Sequence, residues 1–215
     1  MASSRTRHLK ETLSNFKFLM ALRALELVMY EMNAEKGYVR HNGAHYFYHL
    51  VDVTQKLINH GIRDENILTA ALLHDLVEDV PGYTIEKVRK TFNPRVAHIV
   101  DLVTKKPGID YKKSENILFY LEKISEDYGA SLVKTADRMH NFGTLLDATP
   151  EKRIRQAIET EKYFIPFFKQ CRKRYTTYAS FFFEAKTQIE PQLWMIKEYD
   201  KKVKELEEKI RQLEK

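Results

Sequence analysis

Four histidine and carboxylate side chains stand in apolar stretches of this chain and invite a chemical explanation. The stretch Ala70-Ala71-Leu72-Leu73-His74-Asp75-Leu76-Val77-Glu78-Asp79 delivers a His-Asp pair and then a Glu-Asp pair. On a helical period, residues four apart lie one above the other, so His74 is expected over Glu78 and Asp75 over Asp79. Burying so much charge is costly unless something compensates it, and a divalent cation would. His49 follows Tyr46-Phe47-Tyr48, and Asp137 follows the buried-looking run Leu132-Val133-Lys134-Thr135-Ala136. Singly, each has an ordinary structural reading: a hydrogen-bonded core histidine, a buried His-Asp pair, an aspartate paired with Arg138. Together, His49, His74, Asp75 and Asp137 supply two imidazoles and two carboxylates from separate helices. Such a sulfur-free N/O set suits Mn, Fe, Co or Zn. Four protein ligands on an octahedral ion leave positions for water and a phosphate oxygen. Glu78 and Asp79, one turn on, are placed to orient or deprotonate an attacking water, as a general base must from hydrogen-bond range. Their plainer reading is capping near Gly82. Lys134, Asp137, Asn141 and Thr144 fall on one stripe of a helix, either a solvated face or the wall of a nucleotide pocket. Arg40 offers a planar cation that could stack on a base or hold a phosphate.

The elements that must position these residues read as helices throughout. Glycines number seven and prolines six, and apolar residues recur at three and four spacing. Expected helices run from Leu9 to Asn33, with Phe18, Leu22, Leu25, Val28 and Met32 facing inward, from Phe47 to a C-cap at His60-Gly61, and from near Asp64 to Asp79. Thr84 and Asn93-Pro94 open the next two. Further helices cover Ser114–Ser125, Ala130–Leu146, and a long run from Thr149-Pro150 to Arg174 that Pro166 should kink or restart. From about Pro191 the character changes. Ile196, Val203 and Ile210 alternate with Tyr199, Leu206 and Leu213 in an a/d heptad pattern flanked by Lys and Glu. That is the pattern of a short coiled coil, favouring a homodimer, or of a terminal helix docked on its own domain. Phe181-Phe182-Phe183 reads as core.

Composition bounds the setting. The 215 residues suffice for one sizeable core plus an appendage, and we expect a principal domain over 1–175 with a C-terminal helical extension over 176–215. The single Cys171 excludes an intramolecular disulfide and a cysteine-based zinc site. No apolar run approaches the roughly 18 residues of a membrane helix, and the polar first ten residues do not resemble a signal peptide. A cytoplasmic protein with no membrane partner is expected. The net charge of +6 and pI near 9.2 favour anionic partners such as nucleotides, phosphates or nucleic acid. No run of five or six basic residues appears, so nucleic acid is not required.

From about Leu19 to Pro166 the chain resembles the HD-domain superfamily of metal-dependent phosphohydrolases, and more closely the hydrolase domain of RelA/SpoT proteins and the stand-alone small alarmone hydrolases. The resemblance is carried by residues 70–79 and by Arg40 standing nine residues before His49, with Gly43 and Tyr46 between. It continues in Phe92, Val96 and Val103-Thr104-Lys105, and in Val133-Lys134-x-Ala136-Asp137-Arg138-x-His140-Asn141. Glu159-Thr160 and Tyr163-x-x-Pro166 close it. It implies an all-α HD-domain helical bundle, to which this chain adds an extended C-terminal helix. It implies one manganese ion on His49, His74, Asp75 and Asp137, with Glu78 and Asp79 activating water. Arg40 would stack on the guanine, and Asn141 and Thr144 would line the nucleotide pocket. Outside the resemblance, Lys134 is read as a further substrate-binding cation, with Lys112 and Lys113 as alternatives. The implied reaction is hydrolysis of the 3′-pyrophosphate of (p)ppGpp to GDP or GTP and pyrophosphate. An alternative keeps the metal and changes the nucleotide, to the 2′-phosphate of NADPH or a dNTP or NMP. A third reading is a metal-binding or nucleotide-sensing module whose heptads recruit a partner. The chain departs from the family at His41-Asn42, where Lys-Ser is usual, and at Gly143, where a basic residue is common. Both departures fall on the substrate side.

Overall fold

The computed structural model describes residues 3–213. Among these residues all regular structure is helical, apart from a single antiparallel bridge between Val39 and His45. The described residues form two compact units, one through His140 and one from Asn141 onward.

The first unit is built around a helix that is apolar on every face. Helices α1 (Ser4–Asn15), α2 (Leu19–Glu31) and α3 (Phe47–Asn59) precede it, and α4 (Glu65–Leu73) buries every residue from Ile67 to Leu73. A helix hydrophobic all round must be enclosed, and α4 packs against α2, α3 and a later helix, α7. Asp64 starts α4 by accepting the amides of Asn66 at 2.8 Å and Ile67 at 3.4 Å. The turn α5 (Leu76–Asp79) follows, then α6 (Ile85–Thr91), α7 (Pro94–Val103), α8 (Ser114–Ser125) and α9 (Tyr128–Gly143). Thr84 and Asn93 cap α6 and α7 as expected, with Pro94 in the first turn of α7.

Three expected helices differ from the structure. The first, Leu9–Asn33, is two. Leu25, Val28 and Met32 of its stripe are buried, and Phe18 and Leu22 are half-buried. The break is a Schellman motif: Phe18 N–H bonds the Leu13 carbonyl and Lys17 N–H the Ser14 carbonyl. Lys17 takes the left-handed conformation, φ 59°. Glycine normally fills that position, so its usual marker is missing. The helix expected from Asp64 to Asp79 is divided at His74-Asp75, a turn between α4 and α5 in which both residues keep right-handed helical angles, Asp75 at φ −100°, ψ −7°. The helix expected over Ala130–Leu146 begins at Tyr128 and ends at Gly143, and Leu146 lies in a separate 3-10 turn.

The second unit comprises α10 (Pro150–Glu159), α11 (Ile165–Arg174) and α12 (Ala179–Leu213). A π-turn, Thr160–Phe164, joins α10 to α11, with Ile165 N–H bonding the Thr160 carbonyl five residues back. Pro166 has no N–H for the next helical bond, and the wider turn stands immediately before it. α12 packs on α10 and α11. It begins a dozen residues before the change of character at Pro191, which lies inside it. Phe181 and Phe182 are core, whereas Phe183 is 46% exposed beneath Arg172. The boundary expected at 175/176 falls at the 3-10 turn Thr176–Tyr178 of this unit.

Candidate metal centre

Adjacent residues on a regular helix point about 100° apart, so His74 and Asp75 could not face one point from an unbroken α4. The interruption resolves this. His74, the last residue before the break, donates Nδ1–H to the Ala71 carbonyl at 2.7 Å, which turns Nε2 inward. Asp75 swings its Oδ2 to 3.3 Å from that Nε2. The expected stacking of Asp75 and Asp79 survives only as a backbone bond, Asp79 N–H to the Asp75 carbonyl at 2.9 Å.

His49, on the first turn of α3, completes a cluster. Its Nε2 lies 3.3 Å from His74 Nε2, 3.5 Å from Asp75 Oδ2 and 3.3 Å from Asp137 Oδ1. Asp137, on α9, also lies 3.8 Å from His74 Nε2. His49, His74 and Asp75 present ligand atoms all within 4.8 Å of one another. Bonds of about 2.1 Å to a divalent ion place ligand atoms about 3.0 Å apart in an octahedron and about 3.4 Å apart in a tetrahedron. The observed spacings, the buried imidazoles and the absence of sulfur therefore fit a divalent cation.

The electrostatics agree. Burial presses His49 down to about 4 against the pull of Asp137 and Asp75. For His74 burial also works downward, but Asp75 and Asp137 outweigh it and raise the group to about 9. Two carboxylates thus demand positive charge at one point, which a proton on His74 or a cation can meet. Asp137 is held well below the usual carboxylate range: its burial is outweighed by Lys134 and both imidazoles. Lys134 donates to Asp137 Oδ2 at 2.9 Å and is half-buried there, its side chain 11% exposed. Its ammonium is thereby a partner of a ligand.

Sequence reasoning missed the residues that hold the ligands. His49 Nδ1 meets His140 Nδ1 at 2.8 Å, and His140 Nε2 meets Asp52 Oδ2 at 3.2 Å. Arg5 of α1 donates to the same Asp52 oxygen at 2.6 Å. With His49 Nε2 turned to a cation, its Nδ1–H donates to His140, which in turn donates Nε2–H to Asp52. One carboxylate thereby sets both tautomers. Asp52 stands three residues after His49 on α3, and that same-face spacing was the available signal. Tyr46 donates its hydroxyl to Asp75 Oδ2 at 2.8 Å.

The remaining expected residues lie outside this cluster. Glu78 and Asp79 are exposed on α5. Glu78 Oε2 accepts the Lys105 amide at 3.0 Å, which ties α5 to the end of α7. Asp79 is raised to about 6, by partial desolvation first and then by Asp75 and Glu78. Arg40 lies in the turn closed by the Val39–His45 bridge, with its guanidinium 5.6 Å from the Tyr46 ring centre. It thus adjoins the tyrosine that holds Asp75. Asn141 and Thr144 belong to the second unit, on and after the last turn of α9, where the Thr144 hydroxyl donates to the Asn141 carbonyl at 3.4 Å.

Comparison with known proteins gives the arrangement relatives. The profile of the HD domain family matches residues 24–170. A guanosine-3′,5′-bis(diphosphate) 3′-pyrophosphohydrolase of Haemophilus influenzae is 35% identical over 143 residues, covering 64% of this chain and 21% of its own length. A probable GTP pyrophosphokinase of Mycobacterium leprae is 37% identical over 131 residues, 60% of this chain and 16% of its own. The chain therefore spans about a fifth of these relatives. A solved structure of a metazoan SpoT ortholog, described as hydrolysing ppGpp and acting in starvation responses, superposes with a TM-score of 0.60 at 26% identity. It covers 71% of this chain and 85% of that one.

Proposed function

This chain belongs to the HD domain family, and from that premise we propose that it is a manganese-dependent hydrolase of the 3′-pyrophosphate of (p)ppGpp. The observation that carries the reading is the cluster of His49, His74 and Asp75, with Nε2 and Oδ2 atoms 3.3–3.5 Å apart, and Asp137 Oδ1 3.3 and 3.8 Å from the two imidazoles. The names of the Haemophilus influenzae relative and the metazoan ortholog supply the substrate class. The pyrophosphokinase name of the other relative belongs to a chain of which this one matches only 16%.

His49, His74, Asp75 and Asp137 hold the cation, and Tyr46, Lys134 and His140 orient them. A bound divalent ion supplies Lewis-acid polarisation of the phosphate and makes water a better nucleophile at neutral pH. Glu78 and Asp79 position the attacking water and take its proton. Asp79, raised to about 6, suits a base near neutrality. The water oxygen bonds to the phosphorus on the 3′ oxygen as the bond between them breaks. The 3′ oxygen regains a proton, leaving GDP or GTP and pyrophosphate. Arg40 stacks on the guanine, and Asn141 and Thr144 contact the nucleotide. No helix among the described residues is long and apolar enough to cross a membrane. The nucleotide substrate and the single buried thiol of Cys171 support a cytoplasmic setting.

The test is product analysis. The purified chain with manganese is offered ppGpp, NADPH and dGTP separately. Pyrophosphate and GDP from ppGpp support the proposal. Inorganic phosphate from NADPH, with ppGpp untouched, moves the assignment to another nucleotide, as His41-Asn42 and Gly143 on the substrate side would allow.

A further inference from the structure

The apolar stripe of α12 is covered at one end and bare at the other. Phe182, Ala185 and Ile189 are buried within the second unit. Farther along, Ile196, Tyr199 and Val203 line a groove of about 610 Å³ shared with Phe142, Leu145 and Ile154. Beyond Val203 the stripe is open to solvent among the described residues: Leu206 is 58% exposed, Ile210 55% and Leu213 87%. The helix nevertheless continues to Leu213. A final three turns in water, with no packing on their apolar side, are marginal as a helix, and a contiguous exposed stripe marks an interaction surface.

The composition of the seam selects the occupant. Positions a are Ile196, Val203 and Ile210, and positions d are Tyr199, Leu206 and Leu213. β-branched residues at a with leucine at d favour two parallel strands over higher assemblies. The flanking charges agree. Lys202 is a g position and Glu207 the e position five residues later, the pair that meets across a parallel dimer. The sequence repeats the pair with Lys209 and Glu214. An antiparallel arrangement would instead set Lys202 against Lys209 and Asp200 against Glu207, like against like. Lys202 and Glu207 are both exposed, and Asp200 is already engaged by Lys204 at 2.7 Å.

We propose that the α12 seam from Tyr199 to Leu213 pairs with the same seam of a second copy of this chain, as a parallel two-stranded coiled coil held in register by Lys202–Glu207 pairs. The exposed Met195 and Leu146 beside the groove flank its start. The inference is independent of the catalytic reading, since no seam residue belongs to the metal cluster.

Sedimentation equilibrium on the full chain tests it. The wild type should sediment at twice its 25.5 kDa mass. Leu206→Asp should raise the dimer dissociation constant about 100-fold or more. At a concentration where both proteins are monomeric, its thermal unfolding should match the wild type, because Leu206 is 58% exposed within its own chain. Glu207→Lys should weaken the dimer about 2- to 30-fold through two symmetric pairs, and adding Lys202→Glu should restore it. A wild-type monomer at 100 μM, or a dimer indifferent to Leu206→Asp, overturns the proposal and leaves the seam to a foreign helix or to its own domain. A dimer tightened by Glu207→Lys overturns the parallel orientation.

Discussion

At the scale of single residues, the four candidate ligand side chains have the right types, but their usefulness comes from the groups behind them. His49 presents Nε2 because its Nδ1 is engaged by His140 at 2.8 Å, itself tied to Asp52. We therefore expect His140→Ala and Asp52→Asn to weaken metal affinity about 10–100-fold, read by chelator competition on the stripped protein, with no substrate present. Asp137→Ala should empty the site, because it removes a ligand and leaves the half-buried Lys134 uncompensated. Glu78→Gln should retain metal and lose activity by about 10²–10⁴-fold. If it loses metal as well, Glu78 acts through its bond to the Lys105 amide and not on water.

At the scale of elements, the caps and breaks decide where side chains point. The α1–α2 break places Lys17 at φ 59°, which costs a non-glycine residue about 1–2 kcal/mol. Lys17→Gly should accordingly stabilise the chain by about 0.5–1 kcal/mol in denaturant unfolding. The start of α9 depends on Asp127, which accepts the Arg95 fork, one arm at 3.0 Å, and the Ala130 amide at 2.9 Å. His98 stands 3.7 Å away. Burial would raise this carboxyl, but Arg95 and the amide outweigh it and hold it below 3.8. A depressed folded value means the stabilisation is present above about pH 3.8 and lost as pH falls through the folded value. Asp127→Ala should cost about 1–3 kcal/mol at neutral pH, and the deficit should shrink as acid titration proceeds.

At the scale of the molecule, each unit has its own core. In the first, α4 is enclosed by α2, α3 and α7, and the same packing that buries Leu72 carries His74 to the cluster. Leu72→Ala should destabilise by about 2–5 kcal/mol. In thermal unfolding it should also narrow the gain from added manganese, because a loosened α4 no longer holds His74 in place. In the second unit α12 gathers α10 and α11.

The helical class, the caps at Thr84 and Asn93, and the candidacy of His49, His74, Asp75 and Asp137 as ligands were legible in the sequence. Each depends on local chemistry or on residue types too costly to bury without a cation. Three things were settled only by tertiary structure. At the His74-Asp75 turn the two neighbours meet His49 and Asp137 of distant helices, a meeting that no local pattern records. The break at Lys17 carries no glycine, so the sequence does not mark it and only the backbone bonds of Lys17 and Phe18 reveal it. His140, Asp52 and Tyr46 became positioning residues because folding brought α1, α3 and α9 together around the ligands. A periodic pattern records which side chains a helix buries, but not which partner each polar atom will find there.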